Sequence, residues 1–127
     1  MRQTLVILAL FLAAFCQTGF AQASQPQAEG PVYVVTHIDL MPNGVPAGVP
    51  AMKQFVAVTL KTEKDCVRFE ILQQDGRPNH LTLVGIWKDQ KAFDAHDSAA
   101  YTKEFREKMQ PLIGSPWDER LHQLIKP

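Results

Sequence analysis

Two extended runs, "CVRFEILQQ" and "HLTLVGIW", flank the segment "DGRPN", and this arrangement constrains the fold more than any other feature of the chain. Both runs are rich in β-branched, aromatic and aliphatic residues, and the segment between them holds Gly76 and Pro78, which favour reversal of the chain. The pattern predicts an antiparallel hairpin. Strand periodicity puts Leu81, Leu83, Gly85 and Trp87 on one face of its second arm, with His80, Thr82, Val84 and Ile86 opposite. The same rule groups Val67, Phe69 and Ile71 in the first arm, with Cys66, Arg68, Glu70 and Leu72 on the other face.

The rest of the chain supplies what a hairpin needs for stability. "VYVVTHIDLM" reads as another strand, with Val32, Val34, Thr36, Ile38 and Leu40 directed to the core and Tyr33, Val35, His37 and Asp39 to the other side. "PNGVPAGVP" has three prolines and two glycines, so a loop is expected there, with a helix starting near Pro50 and running through "AMKQFVAVTLKTEKD". After Trp87, Asp89 is placed to cap a short helix with Ala92, Phe93 and His96 on one face. Ser98 is placed to open a further helix whose stripe is Tyr101, Phe105, Met109 and Leu112. "WDERLHQLIKP" completes the pattern as a last strand. The order β-α-β-β-α-β predicts an α+β, ferredoxin-like split β-α-β domain: an antiparallel sheet with helices on one face and the other face free for a ligand or a second subunit.

The first residues are of a different kind. Arg2 precedes an apolar run from Leu5 to Phe15 that is short for a bilayer span, and small residues follow, with possible cleavage after Ala21 or Ala23. Residues 1–23 are therefore expected to be a signal peptide, 24–31 a flexible lead-in and 32–127 the folded domain, in a secreted or periplasmic protein without stable membrane insertion. Cleavage would remove Cys16 and leave Cys66 alone, which excludes an intrachain disulfide and favours a buried small hydrophobe at that position. Thirteen basic and thirteen acidic residues balance, so nothing in the charge attracts nucleic acid.

Chemistry must come from few residues. His37, His80, His96 and His122 are too far apart to form a recognisable metal-binding motif, and the chain has no glycine-rich phosphate loop. No metal or cofactor is expected. His96 is the strongest candidate because it shares a helical neighbourhood with Phe93, and a neutral imidazole can exchange a proton near pH 7. The alternative is a histidine that only ties the two helical pieces together. Trp87 lies two residues beyond Gly85 on the same strand face, which would leave a slot for a flat aromatic ligand beneath the indole unless the tryptophan simply packs in the core, the favoured reading of the two. Tyr101 and Phe105, one helical turn apart, would line the same cavity or simply pack in the core. Lys103, Glu104, Arg106 and Glu107 alternate in sign, as on a solvated helix face. The local "HDS" cannot converge as a Ser-His-Asp triad.

Taken together, "VVTHIDL", "CVRFEILQQ…HLTLVGIWKDQKAFDAHDS" and "YTKEFREKM" resemble the antibiotic biosynthesis monooxygenase (ABM) domain, a family that includes small cofactor-independent quinol monooxygenases. The resemblance runs from Val32 to Ile125. It implies a ferredoxin-like homodimer paired through its sheets, oxidising a quinol, phenol or anthrone-like compound without flavin, haem or metal. On that reading His96 and His37 would be catalytic, and Tyr33, Trp87, Phe93, Tyr101 and Phe105 would form the substrate pocket. One departure is Gly85, where the family commonly has an acidic residue, so a polar anchor is missing there. The haem-degrading branch carries an asparagine, a pocket tryptophan and a haem-ligating histidine where this chain has His37, His96 and Arg106, which argues against haem degradation. A dimeric binding or stress-response protein without turnover is the alternative from another functional class.

Overall fold

A computed structural model describes residues 30–127 of the chain; the expected signal peptide, Cys16 and most of the expected lead-in lie outside the described residues. Strand β1 (Val32–Asp39) leads through a 3-10 turn at Pro42–Gly44 into helix α1 (Val45–Thr62). Strands β2 (Cys66–Gln74) and β3 (Arg77–Trp87) form the hairpin, followed by α2 (Gln90–Ser98), α3 (Ala100–Met109) and β4 (Asp118–His122). The four strands make one sheet in the order β2-β3-β1-β4 with every neighbouring pair antiparallel, the α+β ferredoxin-like arrangement expected from the sequence.

One face of the sheet carries the core. Val32, Val34, Thr36, Ile38 and Leu40 of β1 and its extension are buried, as are Leu81, Leu83 and Trp87 of β3. They pack under Met52 and Phe55 of α1, Phe93 of α2, and Phe105 and Met109 of α3. At the usual yield of about 25 cal/mol per Å² of apolar surface, these large side chains supply most of the favourable folding term. Tyr33, Val35 and His37 occupy the opposite face, where they are half-buried or exposed. Among the described residues no helix is long and apolar enough to cross a membrane.

Several local expectations need correction. Helix α1 begins at Val45, well before Pro50. Pro46 falls in the first turn, where its missing N–H costs nothing, and Pro50 sits only one turn further in. Gly48 has a packing role: a Cβ there would stand 2.7 Å from Leu40 Cδ1, so the glycine lets the helix come down onto the end of β1. The turn is also tighter than "DGRPN" implied. It is centred on Asp75 and Gly76, the glycine at φ +74°, and β3 already runs from Arg77. Pro78 is tolerated because it lies beyond the β1–β3 ladder, which ends at His80.

In β2 a bulge follows Cys66, so that Cys66 pairs with Trp87 and Arg68 with Ile86. Val67 is the extra residue and is two-thirds exposed, whereas Phe69 is buried. Ser98 closes α2 instead of opening α3: its hydroxyl donates to the carbonyl of Asp94 at 2.8 Å, and Ala99 is the N-cap of α3. The cap at Asp89 is as expected, accepting from the Ala92 N–H at 2.8 Å. His80 lies within β3, and its side chain pairs with Asp39.

Candidate active site

The polar centre of the molecule is built around a residue that the sequence did not single out. Glu63 follows the last turn of α1 in extended conformation, with its backbone N–H still bonded to Thr59 O, so its side chain turns toward the sheet–helix interface. There its carboxylate meets three ring-bearing side chains. Trp87 Nε1 donates to Oε2 at 2.9 Å, His96 Nδ1 lies 2.8 Å from Oε1, and the Tyr101 hydroxyl donates to the same Oε1. The donors come from β3, α2 and α3, so one carboxylate ties three elements to the end of α1.

His96 is 4% exposed and lies among Phe55, Phe69, Trp87 and Phe93, with ring centroids 4.6 to 6.2 Å away. In the neutral imidazole, the carboxylate at Nδ1 holds the ring proton on that nitrogen, which leaves Nε2 as an acceptor. Among the described residues Nε2 has no hydrogen-bond partner. Burial, and next the bond to Glu63, push the Tyr101 hydroxyl above the usual phenol range, so it remains a donor at neutral pH. Burial also raises the Cys66 thiol to about 11, with the charge of Glu63 adding to the effect.

Of the two readings of Trp87, core packing holds: the indole is buried and the space beside Gly85 is already filled. A Cβ on Gly85 would lie 2.1 Å from Trp87 Cζ3, because the indole folds back over the glycine. The absent side chain makes room for tryptophan, not for ligand. Position 85 therefore carries no acid, and the carboxylate that engages Trp87 and His96 is delivered by α1.

The open spaces divide around this centre. An inner cavity of about 10 Å³, lined by His96, Trp87, Phe93 and Phe105 among others, has room for about one water. A surface groove of about 320 Å³ is lined by Glu63, Trp87, Ala95 and Tyr101. The inner cavity touches His96 and Trp87 but not Tyr101, and the groove touches Trp87 and Tyr101 but not His96; Glu63 lines only the groove. Of the pocket residues proposed from sequence, Trp87, Phe93, Tyr101 and Phe105 gather around His96 or its cavity. Tyr33 and His37 do not. They occupy the other face of the sheet, where His37 Nδ1 lies 3.1 Å from Thr82 Oγ1 and the neighbouring β4 contributes Asp118 at the same register.

Arg106 is likewise not part of a plain solvated face. It pairs with Asp97 at 2.7 Å and with Glu119 at 3.1 Å, and Thr36 donates to Glu119 at 3.2 Å, which pins β4 to α3 and β1. Among the described residues no three His, Cys, Asp or Glu side chains are arranged to hold a metal ion.

Comparison with known proteins agrees with this architecture. The family model for antibiotic biosynthesis monooxygenases matches residues 31–108. The chain belongs to that family. Among curated proteins, an uncharacterized protein of Synechocystis is 21% identical over 99 residues, covering 78% of this chain and 67% of that protein. Among solved structures, a Bacteroides thetaiotaomicron protein superposes with TM-score 0.71 at 18% identity, over 78% of this chain and 93% of its own. Rv0793 of Mycobacterium tuberculosis gives 0.70 at 16%, over 76% and 97%. A conserved Methanosarcina mazei protein gives 0.70 at 21%, over 75% and 93%. At these identities the structural matches establish the shared ABM fold.

Proposed function

We propose that this ABM-family protein is a cofactor-independent monooxygenase acting on a quinol, phenol or anthrone-like aromatic compound. The observation that carries the reading is His96, buried among aromatic rings with Nδ1 on the Glu63 carboxylate and Nε2 free. In this reading His96 Nε2 accepts the proton of the substrate's hydroxyl or activated C–H, and Glu63 is the positioning residue that stabilises the resulting imidazolium. The electron-rich anion then reduces dioxygen. For a methylene carbon, one oxygen atom becomes the new carbonyl and the other leaves as water with both hydrogens, so the substrate supplies all four electrons. The surrounding rings exclude water and strengthen the electrostatics at the reacting centre.

The residues at the three positions that mark the haem-degrading branch, His37, His96 and Arg106, support this assignment over a haem-degrading one. Arg106 stands at the position matching the haem ligand of that branch, and a guanidinium held by two carboxylates has no lone pair to offer iron. His37 and Tyr33, on the outer sheet face, fit a proposed homodimer surface better than a role beside His96. The composition of the first 23 residues supports export, which N-terminal sequencing of the mature protein checks.

The direct test is an oxygen electrode with purified protein and a panel of anthrones and naphthohydroquinones, in the presence of chelator. The expected result is enzyme-dependent uptake of one dioxygen per methylene oxidised, lowered roughly 10²-fold or more by His96→Gln, the usual weight of a general base. Equal rates for wild type and His96→Gln, or no uptake with any compound, would overturn the assignment.

A further inference from the structure

Among the described residues two fully enclosed side-chain polar atoms lack partners, Thr102 Oγ1 and Trp117 Nε1, and both belong to residues lining the inner cavity. Thr102 is 1% exposed, so solvent does not reach it. Its orphan state is unusual among the helical threonines of this chain. Thr59 and Thr62 each donate to the carbonyl one turn back, at 3.0 and 2.8 Å, whereas Thr102 makes no such bond. An indole N–H can only donate, so the group that satisfies Trp117 must be an acceptor; leaving such a donor unmet costs about 1–3 kcal/mol.

The cavity also has a neighbour. Arg106, Trp117 and Glu119 line both the inner cavity and a surface cleft of about 440 Å³ bounded further by Asp97 and Gln110. The wall between them is therefore one cation–carboxylate pair and one indole. The inner space accommodates one oxygen atom but no ring, while the cleft has the volume for a fused aromatic and offers Trp117 and the Arg106 guanidinium as stacking surfaces. Asp97 and Glu119 outweigh Arg106 in charge, which disfavours carboxylate or phosphate ligands, and the flat indole and guanidinium surfaces suit a neutral aromatic molecule.

We infer that Trp117 Nε1 and Thr102 Oγ1 form an oxygen subsite: they donate to the hydroxyl or carbonyl oxygen of a neutral aromatic ligand whose ring occupies the Arg106 cleft. The inference rests on the monooxygenase reading for its consequence, since His96 lines the same cavity. The oxygen that gives its proton to His96 receives hydrogen bonds from Trp117 and Thr102 as charge develops on it. The subsite thereby selects substrates bearing an oxygen at the ring edge over the bare hydrocarbon.

The test uses ¹⁵N-labelled wild-type protein titrated anaerobically with 1-naphthol, and with naphthalene as the ring without the oxygen. The chain has two tryptophans, so the two indole N–H signals separate Trp117 from Trp87. The expected result is a saturable downfield shift of the Trp117 indole with 1-naphthol and none with naphthalene. Thr102→Val keeps the shape and removes the donor; it should weaken 1-naphthol binding roughly three- to tenfold, the worth of one hydrogen bond, without changing naphthalene binding, whereas Trp117→Phe also trims the stacking surface and should weaken both ligands, 1-naphthol by roughly three- to tenfold more than naphthalene. Several results would overturn the subsite: no 1-naphthol binding, binding that leaves the Trp117 signal unmoved, unchanged affinity in both variants, or a soaked crystal showing a buried water only on these two atoms. The two readings fail separately. Binding at Trp117 with no oxygen uptake on any substrate retains the subsite and removes the monooxygenase, whereas uptake with unchanged KM in both variants does the reverse.

Discussion

Replacing Glu63 in two different ways separates the structural work of its carboxylate from its proposed chemical work. Glu63→Ala leaves Trp87 Nε1 and His96 Nδ1 without an acceptor, and these residues are 1% and 4% exposed. At about 1–3 kcal/mol for each buried unmet group, and allowing for water entering the vacated space, the loss is about 3 kcal/mol. The Tyr101 hydroxyl adds little because it can turn toward the groove it lines. With a urea slope of about 1–1.5 kcal/mol/M for a domain of this size, the unfolding midpoint should fall by about 2–3 M. Glu63→Gln should behave differently. Its carbonyl can accept from Trp87 while its amide donates to His96 and Tyr101, provided that the imidazole moves its proton to Nε2. Every bond is then kept, and the midpoint should fall by less than about 1 M. The proton on Nε2, however, removes the proposed base, so oxygen uptake should drop roughly 10²-fold or more. A Glu63→Ala midpoint within about 0.3 M of wild type would refute the claim that this carboxylate holds the interface together. An active Glu63→Gln would refute the tautomer argument.

Other consequences follow from the packing and from the ionisable groups. Gly85→Ala places a Cβ 2.1 Å from Trp87 Cζ3, so the indole must leave its seat. Overpacking of this kind should cost about 1–3 kcal/mol in urea unfolding and shift the Trp87 indole signal. Phe55→Ala removes a ring stacked on Phe105 at 3.9 Å and in contact with Phe69, Tyr101 and His96. A loss of about 3–5 kcal/mol is expected by the same assay. Because the Cys66 thiol is raised from 9.0 to about 11 in the folded state, the unfolded chain releases that proton first as pH rises. The Cys66 contribution to stability is therefore full below pH 9 and declines between about 9 and 11; Cys66→Ser should flatten the fall in urea midpoint over that window. The same shift predicts slow alkylation of Cys66 by iodoacetamide at pH 8, faster in Glu63→Gln, where the neighbouring charge is gone.

The elements that were legible in the sequence are those where periodicity and burial coincide. The alternation in "VYVVTHIDL" assigns every core-facing side chain of β1, and Leu81, Leu83 and Trp87 do the same for β3, because both strands bury one face. Asp89 announces its helix because capping is a local bond. The misplaced features are those decided at a distance. Pro46, Gly48 and Pro50 read as a loop until Leu40 is known to lie beneath Gly48, when a glycine in a helix becomes a contact requirement. Val67 looks like a core residue because a bulge leaves no trace in a period-two pattern. Glu63 is hidden most completely. It stands in "KTEKD", a charged helix end of ordinary appearance, and its partners Trp87, His96 and Tyr101 are 24 to 38 positions further on. A carboxylate missing from β3 at Gly85 was the available signal that another element had to supply one. The family resemblance groups Tyr33 and His37 with His96, whereas strand alternation, which puts them on the opposite face from Val34 and Thr36, separates them.

The central claim is that Glu63 holds His96 as a base, with the proton on Nδ1 and the lone pair on Nε2. Long-range ¹H–¹⁵N correlation spectroscopy of the imidazole at neutral pH measures this directly. The account predicts a protonated, pyrrole-type nitrogen at Nδ1 and a bare, pyridine-type nitrogen at Nε2 in wild type, with the two exchanged in Glu63→Gln. A proton on Nε2 in the wild-type protein, or the same pattern in both proteins, would contradict it.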